Sequence, residues 1–376
     1  MVGNNIIPFN IPYITGHEQG YVVEAIQRKN LAGDGPFTKK CQLFLEEFTR
    51  ASSVLLTSSC THALELSALL CNIQPGDEVI MASFTFVSSA NAFILRGAKI
   101  IFVDIRPDTM NIDEQKIKAA ITSKTKIILV MHYAGVSCEM DKIMALANKH
   151  NIFVVEDAAQ CIDAYYDRKH LGTIGHLGAL SFHSTKNIHC GEGGALLIND
   201  KSFVERAEII REKGTNRKAF LRGQIDKYSW VNIGSSYLMS ELNAAFLFGQ
   251  LQELEKITHQ RKLIWSFYQE AFGREDHQFE LAIPPDLTKH NGHIFYLKCK
   301  SNVVRSKLIS YLKEKGISSV FHYVPLHSSS FGKLNSSFIG EDVYTTFDSD
   351  RLVRLPLYPG LSIEKAKFIV DIINLF

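Results

Sequence analysis

Residues 181–194 read SFHSTKNIHCGEGG, and Lys186 lies in them between a short apolar run, 179–182, and a group of glycines. We predict the apolar run to be a buried strand. A lysine that follows a buried strand is a candidate Schiff-base former, because desolvation lowers the pKa of its amine and frees the lone pair. Alternatively, Lys186 is a solvated surface charge and the glycines of 191–194 form a simple hairpin.

Around this segment, short apolar and β-branched runs alternate with amphipathic stretches from about residue 53 to residue 200. This rhythm is typical of βαβ units and of a mostly parallel sheet covered on both faces. We predict helices between the first five strands. We expect ligand-binding residues where strands end, since open parallel sheets hold ligands at their carboxyl edge. The predicted strands are 54–57, 78–81, 100–104, 126–131, 152–156, 179–182 and 195–198.

Two further strand ends carry polar residues. Asp157 follows strand 152–156, where its carboxylate could bind a protonated heterocyclic nitrogen or a cation. Alternatively, it caps the next helix. Gln160 faces the same side as Asp157 if a helical turn begins there. Residues 57–64, TSSCTHAL, join the first strand to a helix whose free N–H groups and positive dipole end suit a phosphate. An ordinary Ser/Thr N-cap is the alternative reading of this turn.

After residue 200 the pattern changes. We predict a helix to about residue 213, a polar irregular segment at 214–236 that suggests a functional or interface loop, and a long helical stretch at 239–272. The rest is expected to form a smaller α/β unit. Its predicted elements are 295–300, 303–315, 318–323 and 363–375. We place the domain boundary at residue 250, which gives a large domain at 1–250, N-terminal arm included, and a small C-terminal domain at 251–376.

Composition narrows the function classes. The chain has 376 residues, of which 46% are hydrophobic and 21% charged, and this ordinary globular composition argues against an intrinsically disordered protein. The formal net charge of +2 argues against a dedicated nucleic-acid binder. Residues 1–15 lack the basic region of a signal peptide, and no apolar run reaches the roughly 20 residues of a membrane span. Seven scattered cysteines without a C-x-x-C pair fit a reducing cytoplasm.

Other cofactor sites have little motif support. His132, His183, His189 and Cys190 show no recognised zinc spacing, so we predict no protein-bound catalytic metal. Neither a G-x-G-x-x-G after the first strand nor a P-loop motif occurs, which disfavours nicotinamide and nucleoside-triphosphate binding.

Several segments, taken in chain order, resemble the sugar-nucleotide aminotransferases of the fold-type-I pyridoxal phosphate (PLP) enzymes. The resemblance covers nearly the whole chain. It implies an aspartate-aminotransferase-like α/β fold, with a mostly parallel seven-stranded sheet in the large domain and a smaller C-terminal α/β domain. The segments that carry it are 33–36 (GDGP), 57–64, 83–86 (SFTF), 156–160 (EDAAQ), 181–187, 191–194 and 323–327 (YVPLH).

The resemblance assigns roles to individual residues. Lys186 would bind PLP as a Schiff base and then act as the base that moves the proton. Asp157 would pair with the pyridine nitrogen, Gln160 would bind the ring 3-hydroxyl, and Phe86 would stack on the ring. The phosphate would be bound by the backbone N–H groups of Cys60 and Thr61 and by the hydroxyls of Thr61 and Ser181.

The sequence departs from the family pattern at two positions. Many relatives place an Asn of the partner subunit on the phosphate, within a Tyr-Asn-x-[ST] segment, but Leu238 occupies that position here. Ser235 or Ser236 is a candidate replacement. Cys60 stands where a glycine is common, which is tolerable if its φ is negative and only its N–H is used.

The resemblance also implies substrates and an assembly. The most similar branch converts a dTDP-4-keto-6-deoxyhexose into the 4-amino-4,6-dideoxygalactose derivative with glutamate as donor. It supplies bacterial surface polysaccharides such as lipopolysaccharide and enterobacterial-type surface antigens, in the cytoplasm, as a homodimer with shared active sites. The candidate sugar-nucleotide contacts are Asn216, Arg217, Tyr323 and His327; a surface charge at Arg217 and a structural role for His327 are the alternatives.

Three other readings stay open. The amine could enter a different nucleotide-linked keto sugar, giving a 4-amino gluco epimer or a 3-amino product. Some family members dehydrate the sugar instead, and the best-known of these carry histidine at the lysine position, which Lys186 disfavours. A non-catalytic regulatory protein could keep the fold, although it would have no need of Lys186 and Asp157.

Overall fold

The computed structural model describes residues 6–273 and 278–376. Short 3₁₀ turns lie at Tyr133–Gly135, Lys201–Phe203 and Leu326–Ser328. The helices are α1 (Glu18–Gln27), α2 (Pro36–Thr49), α3 (Cys60–Leu70), α4 (Val87–Ile94), α5 (Glu114–Ala120), α6 (Met140–His150), α7 (Val204–Arg211), α8 (Arg217–Leu221), α9 (Glu241–Gln252), α10 (Leu254–Phe272), α11 (Asn302–Glu314), α12 (Ser330–Asn335), α13 (Thr345–Asp350) and α14 (Ile363–Asn374).

The strands form one large sheet and two small ones. The large sheet has eight strands in the order β1-β9-β8-β5-β4-β2-β3-β13, and β9 is antiparallel to both of its neighbours while the other pairs are parallel. The small sheets have the orders β10-β12-β14 and β11-β6-β7. The strands are β1 (Ser53–Thr57), β2 (Glu78–Ala82), β3 (Lys99–Val103), β4 (Thr125–Met131), β5 (Phe153–Asp157), β6 (Tyr165–Tyr166), β7 (Lys169–His170), β8 (Leu177–Ser181), β9 (Gly194–Ile198), β10 (Glu280–Leu281), β11 (Thr288–Lys289), β12 (Tyr296–Lys298), β13 (Ser336–Phe338) and β14 (Leu352–Arg354).

The predicted α/β class and mostly parallel sheet are confirmed. All seven predicted strands are present within two residues of their expected ends, and α3 to α6 lie between the first five of them. The expected count of seven strands is wrong, because β13 pairs in parallel with the edge strand β3. This three-residue strand, Ser-Ser-Phe, contains no apolar run from which it could be predicted.

The sheet separates two hydrophobic cores. Alternate residues of β1 point to opposite faces, so that Val54 and Leu56 enter one core and Leu55 enters the other. Helices α2 and α9 pack on the first face, and α3, α4 and α7 pack on the second. Coverage on both faces is what the near-continuous apolar strands predict. A third core joins α10, α11 and α14 to β12 and β14.

The later part of the chain differs from expectation in detail. The helical stretch predicted at 239–272 is two helices that meet at Glu253, and the element predicted at 318–323 is an irregular segment with one bridge, Val320 to Arg354. Segment 214–236 contains α8 and is tied to its surroundings by the Glu212–Ser236 and Thr215–Trp230 bridges. The domain boundary at residue 250 stays a prediction. Within residues 6–273 and 278–376, no helix is both long and apolar enough to span a membrane.

Candidate active site

Lys186 lies above the carboxyl end of the sheet, in the loop between β8 and β9. The loop is anchored on both sides of the lysine: Ser184 N donates to Gly191 O at 2.8 Å, and the side chain of Asn187 bonds His293 Nδ1 at 2.7 Å. Within the described ranges the Lys186 amine has neither a hydrogen bond nor an ion pair. Its position is therefore set by the backbone, and its nitrogen is available to a ligand.

The surroundings of Lys186 favour its neutral form. Burial lowers the pKa of the Lys186 amine, and the nearby Cys60 and Asp157 groups act in the opposite direction without cancelling the effect. A lowered pKa leaves more of the amine with a free lone pair at neutral pH. The lysine is thus suited to nucleophilic attack on a carbonyl and to proton transfer.

Asp157 ends β5, next to the strand that leads to the lysine loop, and its Cα partner on β8 is Ala179. The residue is 6% exposed. Ser89 Oγ donates to its Oδ2 at 2.6 Å, and Ala159 N donates to its Oδ1 at 3.1 Å. These two donors fix the orientation of the carboxylate, and each oxygen keeps a lone pair for a protonated ring nitrogen.

Gln160 and two aromatic residues form a wall of the same site. The side-chain oxygen of Gln160 accepts from Ala134 N at 2.6 Å, and its Nε2 donates to Tyr323 OH at 3.4 Å. The donor end of the amide therefore points toward the Tyr323 hydroxyl. Phe86 is 57% exposed, and its ring centre lies 6.3 Å from that of Tyr323. An exposed aromatic ring beside a polar cleft is free to cover the face of a planar ligand.

The turn before α3 fits a phosphate. Ser59 is the N-cap and accepts from His62 N at 3.1 Å, while the amides of Cys60 and Thr61, at the start of the helix, have no acceptor within the described ranges. Thr61 Oγ1 donates to Ser88 Oγ at 2.9 Å, and Ser181 ends β8 nearby, across β9 from β1. Two unused N–H groups, hydroxyls and the helix dipole together suit an anion.

Cys60 and Gly194 adapt this turn to its neighbours. The backbone of Cys60 does not adopt a positive φ, so the usual glycine is dispensable there. Burial raises the pKa of the Cys60 thiol, which keeps it uncharged beside an anion. A Cβ atom on Gly194 would lie within 2.5 Å of backbone atoms of Ser59 and Cys60. Strand β9 can therefore approach the turn this closely only because residue 194 is a glycine.

The histidines weighed as metal ligands make other contacts. His132 Nδ1 accepts from Cys138 N at 3.1 Å, so its Nε2 carries the proton that it donates to Glu156 at 2.9 Å. His189 Nε2 donates to Tyr13 O at 3.0 Å. In His183, Nδ1 bonds Thr185 Oγ1 and Nε2 lies 3.5 Å from Glu192. Each of these three rings is held by hydrogen bonds or an ion pair.

The four candidate substrate residues are not all brought together. Tyr323 lies in the wall described above. His327 bonds Ser83 Oγ at 2.8 Å through Nδ1 and lies 3.1 Å from Asp342 Oδ2 through Nε2, which engages both ring nitrogens. Asn216 Oδ1 accepts from Ser229 N at 2.8 Å and Arg217 is paired with Glu212 at 3.0 Å, so both side chains make contacts in or next to segment 214–236.

Leu238, one of the two departures from the family pattern, follows segment 214–236, which ends with the candidate replacements Ser235 and Ser236. Ser235 and Ser236 are exposed, whereas Leu238 is half-buried and packs against the backbone of Gly33. That Ser235 or Ser236 contacts the phosphate in place of the usual Asn stays a prediction.

Sequence reasoning missed two residues of the site. Ser89 fixes Asp157, and Arg354 lies near Lys186 and Tyr323. Ser89 is part of an ordinary helical turn, and Arg354 is separated from the lysine by 168 residues, so neither carries a local signal.

Comparison with known proteins agrees with this geometry. Residues 12–374 match the sequence model described as the DegT/DnrJ/EryC1/StrS aminotransferase family. The spore coat polysaccharide biosynthesis protein SpsC of Bacillus subtilis (strain 168) is 32% identical over 386 positions, which cover 99% of this chain and 97% of that protein. A DegT DnrJ EryC1 StrS aminotransferase from Brucella abortus has a similar structure, with a TM-score of 0.88 and 27% identity over 96% of this chain and 95% of that one. The structure of the PLP form of Spr1654 from Streptococcus pneumoniae is also similar, with a TM-score of 0.87 and 26% sequence identity over 97% of each chain.

Proposed function

The chain belongs to the DegT/DnrJ/EryC1/StrS aminotransferase family, and we propose that it aminates C4 of dTDP-4-dehydro-6-deoxy-D-glucose. L-Glutamate would be the donor, and the products would be dTDP-4-amino-4,6-dideoxy-D-galactose and 2-oxoglutarate. The enzyme class and the cofactor come with the family: the protein is a PLP-dependent sugar aminotransferase. The observation that carries the proposal is a buried Lys186, whose amine has no hydrogen bond or ion pair to the residues that the structure describes, beside the oriented carboxylate of Asp157.

The residues of the site fit PLP. Asp157 would accept a hydrogen bond from the protonated pyridine nitrogen, Gln160 Nε2 would donate to the 3-hydroxyl, and the start of α3 would bind the phosphate. Phe86 would cover one face of the ring and limit the access of water. PLP, when bound, supplies an electron sink for the negative charge that develops on a substrate carbon.

Lys186 would perform the proton transfers. Its amine would take the proton from the α-carbon of glutamate and hold it for the return transfer. In the second half of the cycle the same nitrogen would move a proton onto C4 of the sugar. The lowered pKa of Lys186 favours both transfers, because a larger share of its amine is unprotonated than in an exposed lysine at the same pH.

The finer parts of the proposal rest on sequence resemblance. The galacto product, the dTDP group and the glutamate donor follow from the similarity to dTDP-4-amino-4,6-dideoxygalactose transaminases. A role in surface polysaccharide biosynthesis agrees with the similarity to SpsC, a spore coat polysaccharide biosynthesis protein. We further propose a cytoplasmic homodimer with shared active sites, in which segment 214–236 brings Asn216 and Arg217 to the sugar nucleotide of the partner subunit.

Product analysis tests this proposal. Purified protein is incubated with PLP, L-glutamate and dTDP-4-dehydro-6-deoxy-D-glucose, and the product is identified by NMR, with Lys186→Ala as the inactive control. The 4-amino galacto product would support the proposal. A gluco epimer or a 3-amino product would contradict the stereochemistry or the position. Loss of water without nitrogen incorporation would contradict transamination, and binding without turnover across a panel of keto sugars would indicate a regulatory protein.

A further inference from the structure

Asn187, Asn291 and His293 connect the loop that carries Lys186 to the turn that follows β5. Asn187 comes directly after Lys186, and Asn291 and His293 lie in the segment that leads into β12. All three residues are buried. Buried amide and imidazole groups are unfavourable unless they are hydrogen-bonded. The bonds that they make therefore show which parts of the site they hold together.

On the lysine side, His293 binds Asn187 in one defined tautomer. Nδ2 of Asn187 donates to Asn291 O at 3.3 Å, and its Oδ1 faces Nδ1 of His293 at 2.7 Å. An amide oxygen can only accept, so Nδ1 of His293 must carry the proton. Burial, together with nearby positive charges such as that of Lys186, lowers the pKa of the His293 imidazole well below its usual value. The ring is therefore neutral and donates to Asn187 through Nδ1.

On the other side, Asn291 binds the turn after Asp157. Its Nδ2 donates to Gln160 O at 2.8 Å and to Ile162 O at 2.7 Å, which uses both amide protons. Its Oδ1 accepts from His293 N at 3.1 Å. A Cβ atom on residue 135 would overlap with this oxygen, so the close packing depends on a glycine there. Asn291 thus fixes the backbone of Gln160, whose side chain belongs to the wall of the site.

Helix α10 holds the same segment from behind. Arg261 is 2% exposed, and its Nε donates to Gly292 O at 3.1 Å while its Nη2 donates to His293 O at 2.7 Å. Trp265 Nε1 donates to Ile294 O at 3.2 Å. The backbone at 292–294 is therefore anchored independently of the lysine loop. It gives that loop a fixed point of attachment.

We propose that His293 is a positioning residue that acts on Lys186 through Asn187. The inference rests on the proposed role of Lys186, whose amine must reach the aldehyde carbon of a cofactor that other residues hold at its ring and phosphate. Within the described ranges this amine has neither a hydrogen bond nor an ion pair, so the loop backbone alone fixes where its side chain begins. Holding that backbone through Asn187 keeps the amine within reach of the aldehyde carbon.

The test compares the binding of two forms of the cofactor to the full-length apoprotein. PLP can form a covalent bond with the Lys186 amine, whereas pyridoxamine 5′-phosphate has an amine in place of the aldehyde and cannot. Both ligands would use Asp157 and the turn before α3. His293→Gln moves the side-chain N–H one atom farther from the backbone and should raise the Kd of PLP about 3- to 10-fold, the effect of one lost hydrogen bond. The Kd of pyridoxamine 5′-phosphate should change less than about twofold.

Two further variants show whether the bond to Asn187 is responsible. His293→Asn keeps a nitrogen attached to Cγ, as Nδ1 of histidine is, and should restore the Kd of PLP to within about twofold of the wild type. His290→Gln is the matched control. His290 lies in the same segment, but its Nδ1 accepts from Gly292 N at 3.1 Å and its ring packs 4.0 Å from that of Trp265. We expect its Kd for PLP to equal that of the wild type, and thermal unfolding of each apoprotein checks that it is folded.

Three results would overturn the inference. One is an unchanged Kd of PLP in His293→Gln. Another is equal weakening of both cofactor forms, which would mean that His293 supports the whole pocket. The third is equal weakening of PLP binding by His290→Gln and His293→Gln, which would assign the effect to the stability of the segment.

Failure of the proposed function has a different signature. If the substrate is wrong, the wild type would bind PLP in a His293-dependent way and yet give no amino sugar. If the role of Lys186 is wrong, Lys186→Ala would bind PLP as tightly as the wild type does.

Discussion

Substituting Gly194 tests whether the turn before α3 is the phosphate site. The Cβ atom of an alanine at position 194 would come within 2.5 Å of backbone atoms of Ser59 and Cys60. Backbone cannot rotate away as a side chain can, so the turn must retreat by roughly half an ångström to reach 3.0 Å. Phosphate hydrogen bonds of about 2.9 Å from Cys60 N and Thr61 N would then become long and weak.

The expected loss follows from these two donors. A hydrogen bond to a charged group contributes about 1.5–3 kcal/mol, so weakening two of them should cost about 3 kcal/mol of binding free energy. This corresponds to a roughly 100-fold higher Kd for PLP. The assay is a titration of the apoprotein with PLP, monitored by absorbance.

Gly193→Ala is the matched control for this prediction. Its Cβ would approach the ends of two flexible side chains, Cys190 Sγ at 2.5 Å and Met239 Cε at 2.7 Å. These atoms can move, so the PLP Kd should rise much less than in Gly194→Ala. Thermal unfolding of both apoproteins separates a binding effect from a folding effect. If Gly194→Ala bound PLP within about threefold of the wild type, the turn would not be the phosphate site.

Two other predictions concern Ser89 and His170. Ser89→Ala removes the 2.6 Å hydrogen bond to Asp157 and should slow the glutamate half-reaction about tenfold or more in a stopped-flow assay. Thr85→Val keeps that bond and should have a much smaller effect in the same assay. Equal rates for Ser89→Ala and the wild type would mean that Ser89 does not position the carboxylate. Burial lowers the pKa of His170 to about 4. Below about pH 6.5 the imidazole therefore gains a proton in the unfolded chain but not in the native protein. About 3 kcal/mol of the free energy of unfolding should be lost as the pH falls from 6.5 to 4. Urea unfolding across this range should show a smaller loss in His170→Gln, and parallel profiles for the two proteins would refute the assignment.

The strands were predictable because each is a short run of buried apolar residues with polar residues at its ends. Hydrophobic periodicity predicted the elements of the later part of the chain less accurately. The segment 318–323 has the composition of a strand, but it folds along the site wall, where Tyr323 reaches Gln160. The helices α9 and α10 meet at Glu253 without a proline or glycine, so the sequence around the break looks continuous.

The candidate site could be predicted where a chemically reactive side chain follows a strand end. Lys186 and Asp157 follow adjacent parallel strands, and the topology then brings them together. Ser89 and Arg354 were not predictable in this way, because their roles depend on tertiary packing. Ser89 reaches Asp157 from a helix, and Arg354 lies near Lys186 although 168 residues separate the two in the chain.

Covalent labelling tests the central claim, that Lys186 carries the cofactor. The holoprotein is reduced with borohydride, digested, and analysed by mass spectrometry for the peptide that has gained the reduced cofactor. The structure predicts a single modified residue, Lys186, with no label in Lys186→Ala. A label on a different lysine, or a wild-type protein that binds PLP but acquires no label, would contradict the account.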